Sequence, residues 1–129
     1  MQAAMMMQSP HRDVLEATPD SDESKARLVE ELQSRGRAAV SAKSWMDAKL
    51  LYEKALTVAP SEKVAILASN LSLVEANMGN FEDARKNAKK ATEADKTYVK
   101  GWWRYVSTNM MEKKNEALII EKNLFNRTF

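Results

Sequence analysis

Lys100 and Arg104 stand four residues apart in the run Tyr98-Val99-Lys100-Gly101-Trp102-Trp103-Arg104. On a helix that spacing puts both cations on one face. Two such cations, joined by the side-chain amide of Asn70 from another segment, suit the recognition of carboxylates through charge-assisted hydrogen bonds. Other chemistries find little support. The chain has no cysteine, so disulfides, thiolate metal ligands and a cysteine nucleophile are excluded. Its one histidine, His11, has no ligand partner at metal spacing. Gly-rich phosphate loops and nucleophile motifs are missing, and the expectation is a protein without catalytic residues, metal or cofactor.

The overall charge is nearly balanced, 20 basic against 18 acidic residues for a net of +2, so a general attraction to nucleic acid or membrane is not expected. The basic run Arg85-Lys86, Lys89-Lys90 alternates with Glu82, Asp83 and Glu93 and reads as a solvated helix face. The longest apolar run, Ala117 to Ile120, is far short of the roughly 20 residues that span a bilayer. No secretory signal is visible at the start, and a cytoplasmic location is expected.

The elements that position these groups repeat. Ser44-Trp45-Met46-Asp47-Ala48-Lys49 and Asn80-Phe81-Glu82-Asp83-Ala84-Arg85 are near copies, and each is followed at the same distance by Lys-Ala, at Lys54-Ala55 and Lys90-Ala91. A period in this range means supersecondary units that bury their apolar faces only by stacking. Few Gly and Pro, with abundant Ala, Lys, Glu and Leu, make an all-α chain. Residues 1–22 carry Pro10 and Pro19 and no periodicity, which predicts a flexible tail ahead of a domain over 23–129.

Six helices follow from spacing and caps. The first covers about 22–43, with cap candidates in Ser21-Asp22-Glu23-Ser24; the second covers 45–58 and stops at Pro60; the third covers 61–78, with Gly79-Asn80 as a left-handed C-cap; the fourth covers 81–94. Thr97 is expected to cap a fifth over 98–111, and the polar Glu112-Lys113-Lys114-Asn115 stretch to separate it from a sixth containing Ala117, Leu118, Ile120, Leu124 and Phe125. Short connections make these antiparallel neighbours.

Leu32, Gly36, Trp45, Ala48, Tyr52, Ala55 and Pro60 stand at the spacing of the tetratricopeptide repeat, and the chain resembles that family over about 29–126. The units fall at about 29–62, 65–98 and 99–129. The second keeps Leu71, Gly79, Phe81, Ala84 and Ala91 but has Ser72 at the close-packing Gly position; the third keeps Trp102, expected in the core, together with Ala117 and Leu124. The resemblance implies a right-handed superhelical array of about three helix-turn-helix repeats, with the first helix of each lining a concave face. Gln33, Arg37, Val40 and Ser41, then Asn70, Leu73 and Asn77, then Lys100, Trp103, Arg104 and Ser107 would form that wall.

Within the family the resemblance is to the carboxylate-clamp domains of co-chaperones, which bind the Glu-Glu-Val-Asp tails of heat-shock proteins. Asn70, Lys100 and Arg104 match three of five clamp positions in kind, whereas Gln33 and Arg37 stand where the family has Lys and Asn. The implied function is an adaptor for an acidic or C-terminal carboxylate peptide, with Gln33, Arg37, Asn70, Asn77, Lys100, Trp103 and Arg104 as the peptide-binding set. A second class stays open: a structural scaffold subunit of a larger assembly, using the apolar C-terminal surface of Ile119, Ile120, Phe125 and Phe129.

Overall fold

A computed structural model describes residues 9–128, and side chains as far as Arg127. Among the described residues the chain is all helix and turn: α1 (Arg12–Leu15), α2 (Asp22–Ser41), α3 (Trp45–Val58), α4 (Ser61–Asn77), α5 (Phe81–Ala94) and α6 (Val99–Thr128). Each helix from α2 onward packs on the next, and α4 also packs on α6.

The start of α2 is fixed by a reciprocal cap. The Ser21 hydroxyl accepts from the Ser24 N–H at 3.1 Å while the Ser24 hydroxyl accepts from the Ser21 N–H at 3.1 Å, which satisfies backbone donors that the first helical turn leaves free.

The internal repeat is visible in the turns. Lys43 (φ 58) and Gly79 (φ 82) both take the left-handed conformation, at equivalent places after α2 and α4. In both turns the next residue closes back on the helix: Ser44 N–H donates to the Ala39 carbonyl at 2.8 Å and Asn80 N–H to the Glu75 carbonyl at 2.9 Å. The following helices then start alike, with Ala48 N–H on the Ser44 carbonyl and Ala84 N–H on the Asn80 carbonyl. A left-handed residue of this kind is what ends a helix and reverses the chain into an antiparallel neighbour.

Small residues set how closely the helices approach. Ala48, Ala55, Ala84, Ala88 and Ala91 are fully buried, around a core that includes Val29, Leu32, Leu51, Tyr52, Leu67, Leu71 and Val74. Ser72 is buried at the close-packing position of the second unit, and its hydroxyl donates to the Ala84 carbonyl at 2.7 Å. A serine is accommodated there because its polar atom is paired with the neighbouring helix. Gly101 serves the third contact: a Cβ built there would lie 3.3 Å from the Ala91 Cβ.

Four expectations need correction. The reading of residues 1–22 as a flexible tail does not describe α1: Val14 and Leu15 are buried in the core, Arg35 clamps Asp13 through Nη1–Oδ1 (2.8 Å) and Nη2–Oδ2 (2.9 Å), and Lys54 Nζ donates to the Ala17 carbonyl at 2.7 Å. One turn of helix thus closes the end of the α2–α3 pair. The part of that tail before residue 9 lies outside the described residues.

The sixth helix is not separate. Residues 112–115 continue α6 without a break, for Glu and Lys are good helix formers and no Gly or Pro interrupts them. Glu112 also forms an ion pair with Arg85 of α5, which holds α6 against the array at the place expected to turn. With no helix folded back on it, Trp102 is half-exposed instead of core, its Nε1–H donating to the Lys96 carbonyl at 2.9 Å. Nor does Thr97 cap α6: its N–H and hydroxyl both bond to the Asp95 carboxylate, at 2.9 and 2.6 Å, in a turn before the helix.

Candidate peptide-binding groove

The residues expected to bind peptide sit on α2, α4 and α6, the first helices of the successive units. Gln33 and Arg37 are one helical turn apart on α2 and line one open cleft of ≈ 730 Å³ together with Arg27, Glu30, Glu31 and Lys63. Gln33 is half-buried and Arg37 exposed. Asn77 stands elsewhere. Its side-chain amide donates to the Leu73 carbonyl of its own helix at 2.8 Å, and it borders a depression of ≈ 330 Å³ with Gly79, Phe81, Met111, Lys114 and Leu118.

Asn70 is half-buried on α4, which packs on α6. On α6, Lys100 and Trp103 are exposed, and Arg104, one turn beyond Lys100, is drawn into the protein. The Arg104 Nε is enclosed with no hydrogen-bond acceptor among the described residues. Burial pushes this guanidinium below its ordinary range, opposed by Tyr98; it remains a cation at every physiological pH.

Several other arginines are already occupied: Arg85 of α5 pairs with Glu112, Arg27 with Glu23 within α2, and Arg35 with Glu31 and with Asp13 of α1. Among the described residues Arg37, Lys100 and Arg104 form no ion pair. A cation without a carboxylate partner on each end of the array, with a half-buried amide between them in the chain, can take up anionic oxygens from outside the protein.

Sequence reasoning overlooked a second polar cluster between α3 and α5. Glu75, almost fully buried, is held by Lys49 Nζ at 3.4 Å and Asn80 Nδ2 at 2.8 Å. Glu53 lies near them with Oε1 enclosed and unpartnered. Burial raises the Glu53 pKa above the ordinary glutamate range; Lys49 opposes this, and Glu75 and Asp83 add to it. The signal was a run of charged residues at helical spacing, which read as solvated faces.

The fold is an all-helical array of antiparallel helix pairs ending in one long helix. No family model matches the chain, and no solved structure matches it. Curated relatives do match it. The chain is 34% identical over 87 residues, 67% of its length and 23% of the relative's, to the heat-shock protein cognate (HSC) co-chaperone sgt12 of Aspergillus fumigatus. It is 32% identical over 107 residues, 80% of its length, to serine/threonine-protein phosphatase 5 of Homo sapiens, and covers 21% of that protein. It is 36% identical over 77 residues, 60% of its length, to the heat shock protein sti1 homolog of Schizosaccharomyces pombe, and covers 13% of that protein. The chain therefore spans less than a quarter of each relative's length. No described helix is long and apolar enough to cross a membrane.

Proposed function

We propose that this chain is a tetratricopeptide-type adaptor that binds an acidic peptide with a free C-terminal carboxylate, of the kind carried by heat-shock chaperones. The observation that carries the reading is a pair of cations one turn apart on α6, Lys100 exposed and Arg104 half-buried, neither of them in an ion pair among the described residues. Lys100 one turn away supplies a second charge, Asn70 orients the ligand through its amide, and Gln33 and Arg37 complete the site from α2. Trp103 offers apolar area for a side chain of the peptide.

Two relatives named for heat-shock proteins support the choice of a chaperone tail as the ligand. The phosphatase match covers about a fifth of that protein, and binding, not phosphate hydrolysis, is the activity proposed for this chain. Arg37 is longer than the family's asparagine and forked, so it suits a carboxylate, while Gln33 gives up a charge. The result is a site retuned from the usual clamp, of micromolar strength and weakened by salt. A cytoplasmic adaptor fits this role.

Charge reversal tests it. Anisotropy of a labelled acidic peptide should show binding to the parent chain, and a loss of at least tenfold with Lys100→Glu, an exposed position whose change leaves the fold intact. Unchanged affinity in Lys100→Glu would refute the assignment of this helix face to the ligand.

A further inference from the structure

The long last helix carries a second pattern on the side turned away from the array. Val99, Trp103, Val106, Met110, Lys113, Ala117, Ile120 and Leu124 are spaced alternately by four and three residues from one end of α6 to the other. This is the heptad spacing of a coiled-coil seam, with Trp103, Met110, Ala117 and Leu124 at a and Val99, Val106, Lys113 and Ile120 at d. Gly101 and Thr108, the buried residues of α6, fall at f, opposite the seam. The array thus lies behind the helix and leaves the seam accessible.

Seam and flank are exposed to an unusual degree. Val99, Trp102, Trp103, Val106, Met110, Ile120 and Leu124 each keep between 52% and 76% of their surface in water. Covering them would remove on the order of 800 Å² per copy, taking residues of this size at roughly 150 to 250 Å² each, which matches the area per partner in a stable protein interface. Scattered apolar residues on a surface need no partner; a continuous stripe along a whole helix does.

We infer that two copies of this chain pair through α6, antiparallel and in register about residues 111–112. That register sets Val99 beside Leu124 of the second copy, Trp103 beside Ile120, Val106 beside Ala117 and Met110 beside Lys113. Charge selects it. At the flanking e positions Lys100 meets Glu121 of the second copy and Ser107 meets Lys114; at g, Trp102 meets Asn123 and Asn109 meets Glu116. No like charges oppose one another there. A parallel pair would stack Lys113 on Lys113 within the seam and set Glu116 against Glu121, both unfavourable.

The arrangement supplies what the repeat pattern lacks. Residues 117–124 of the second copy cover Val99 to Val106, the place a folded-back sixth helix would take, so the pair is an exchange of the last helix between copies. Lys113 lies near the middle, where its long stem reaches solvent and its charge fixes the register at some expense of stability. Because Lys100 also belongs to the groove, Glu121 of the second copy and a peptide carboxylate would share that cation.

Sedimentation equilibrium of the purified chain, with cysteine variants to read the register, tests the inference. A mass that rises to twice that of the monomer with concentration is expected, and Ile120→Glu, at a side chain with no part in the folded core, should return the monomer with unchanged helicity. The chain has no cysteine of its own, so under mild oxidation a mixture of Val106→Cys and Ala117→Cys should yield the mixed disulfide, and neither variant alone should cross-link. A monomer at every concentration, absence of the mixed product, or cross-linking of Val106→Cys to itself would overturn the antiparallel pair. Because Lys100 and Trp103 are used by both the seam and the proposed peptide site, peptide binding is measured separately, by anisotropy with the Ile120→Glu monomer, in which neither residue meets a second copy.

Discussion

The ring of Tyr52 fills the space in front of Gly36: a Cβ added at 36 would stand 2.6 Å from Tyr52 Cζ and 2.7 Å from Cε1. Tyr52 is 1% exposed, and α2 and α3 meet at this contact. The glycine is needed for close approach, since it sits inside a regular helix. Gly36→Ala should cost about 1–3 kcal/mol despite the better helix propensity of alanine, because a packed aromatic ring must shift. Urea denaturation of the two proteins measures the difference.

The turn after α2 gives the opposite sign. Lys43 holds a left-handed backbone (φ 58) where the equivalent turn has Gly79. A side chain there strains the backbone by roughly 1 kcal/mol relative to glycine. Lys43→Gly should therefore stabilise the chain by up to about 1 kcal/mol, read as a higher denaturation midpoint with an unchanged slope.

Glu53 should make the protein less stable as pH rises. Its folded pKa lies above the unfolded value through burial, so between the two values the folded state binds the extra proton, and stability falls with increasing pH across that window. Glu53→Gln should raise the thermal midpoint at neutral pH and flatten its decline above the ordinary glutamate range. Melting curves from pH 4 to 8 check this.

Asp13 has the reverse behaviour. The Arg35 guanidinium holds its carboxyl below the ordinary aspartate range. Its contribution is complete above that range and disappears as pH falls through the lowered folded value. Release of α1 in acid should expose amides near Val14 and Leu15 to hydrogen exchange before the rest of the fold opens, and Leu15→Ala, which empties a buried site, should cost about 2–3 kcal/mol at neutral pH.

The helices from 22 to 94 were legible because each boundary has a local cause: the Ser21–Ser24 cap, the left-handed turn at Gly79, and Pro60. The small residues Ala48, Ala84 and Gly36 revealed which faces meet. What escaped depended on contacts distant in sequence. Nothing near Val14 and Leu15 announces that Arg35 and Lys54 will hold that turn. Likewise the polar stretch at 112–115 has the composition of a turn, while its helix propensity and the ion pair from Arg85 to Glu112 keep α6 continuous. That continuity is also what leaves Trp102 outside the core. Of the proposed groove, spacing put Lys100 and Arg104 one turn apart on one helix and Gln33 and Arg37 on another, but the burial of Arg104 required the packed array.

Titration of a fluorescent Glu-Glu-Val-Asp-ending peptide into the purified chain, beside the same peptide with an amidated C-terminus, tests carboxylate recognition most directly. Saturable binding that weakens with salt and falls at least tenfold on amidation is the expected result. Equal binding of the two peptides, or none of either at low salt, would contradict a groove built around Arg104 and Lys100.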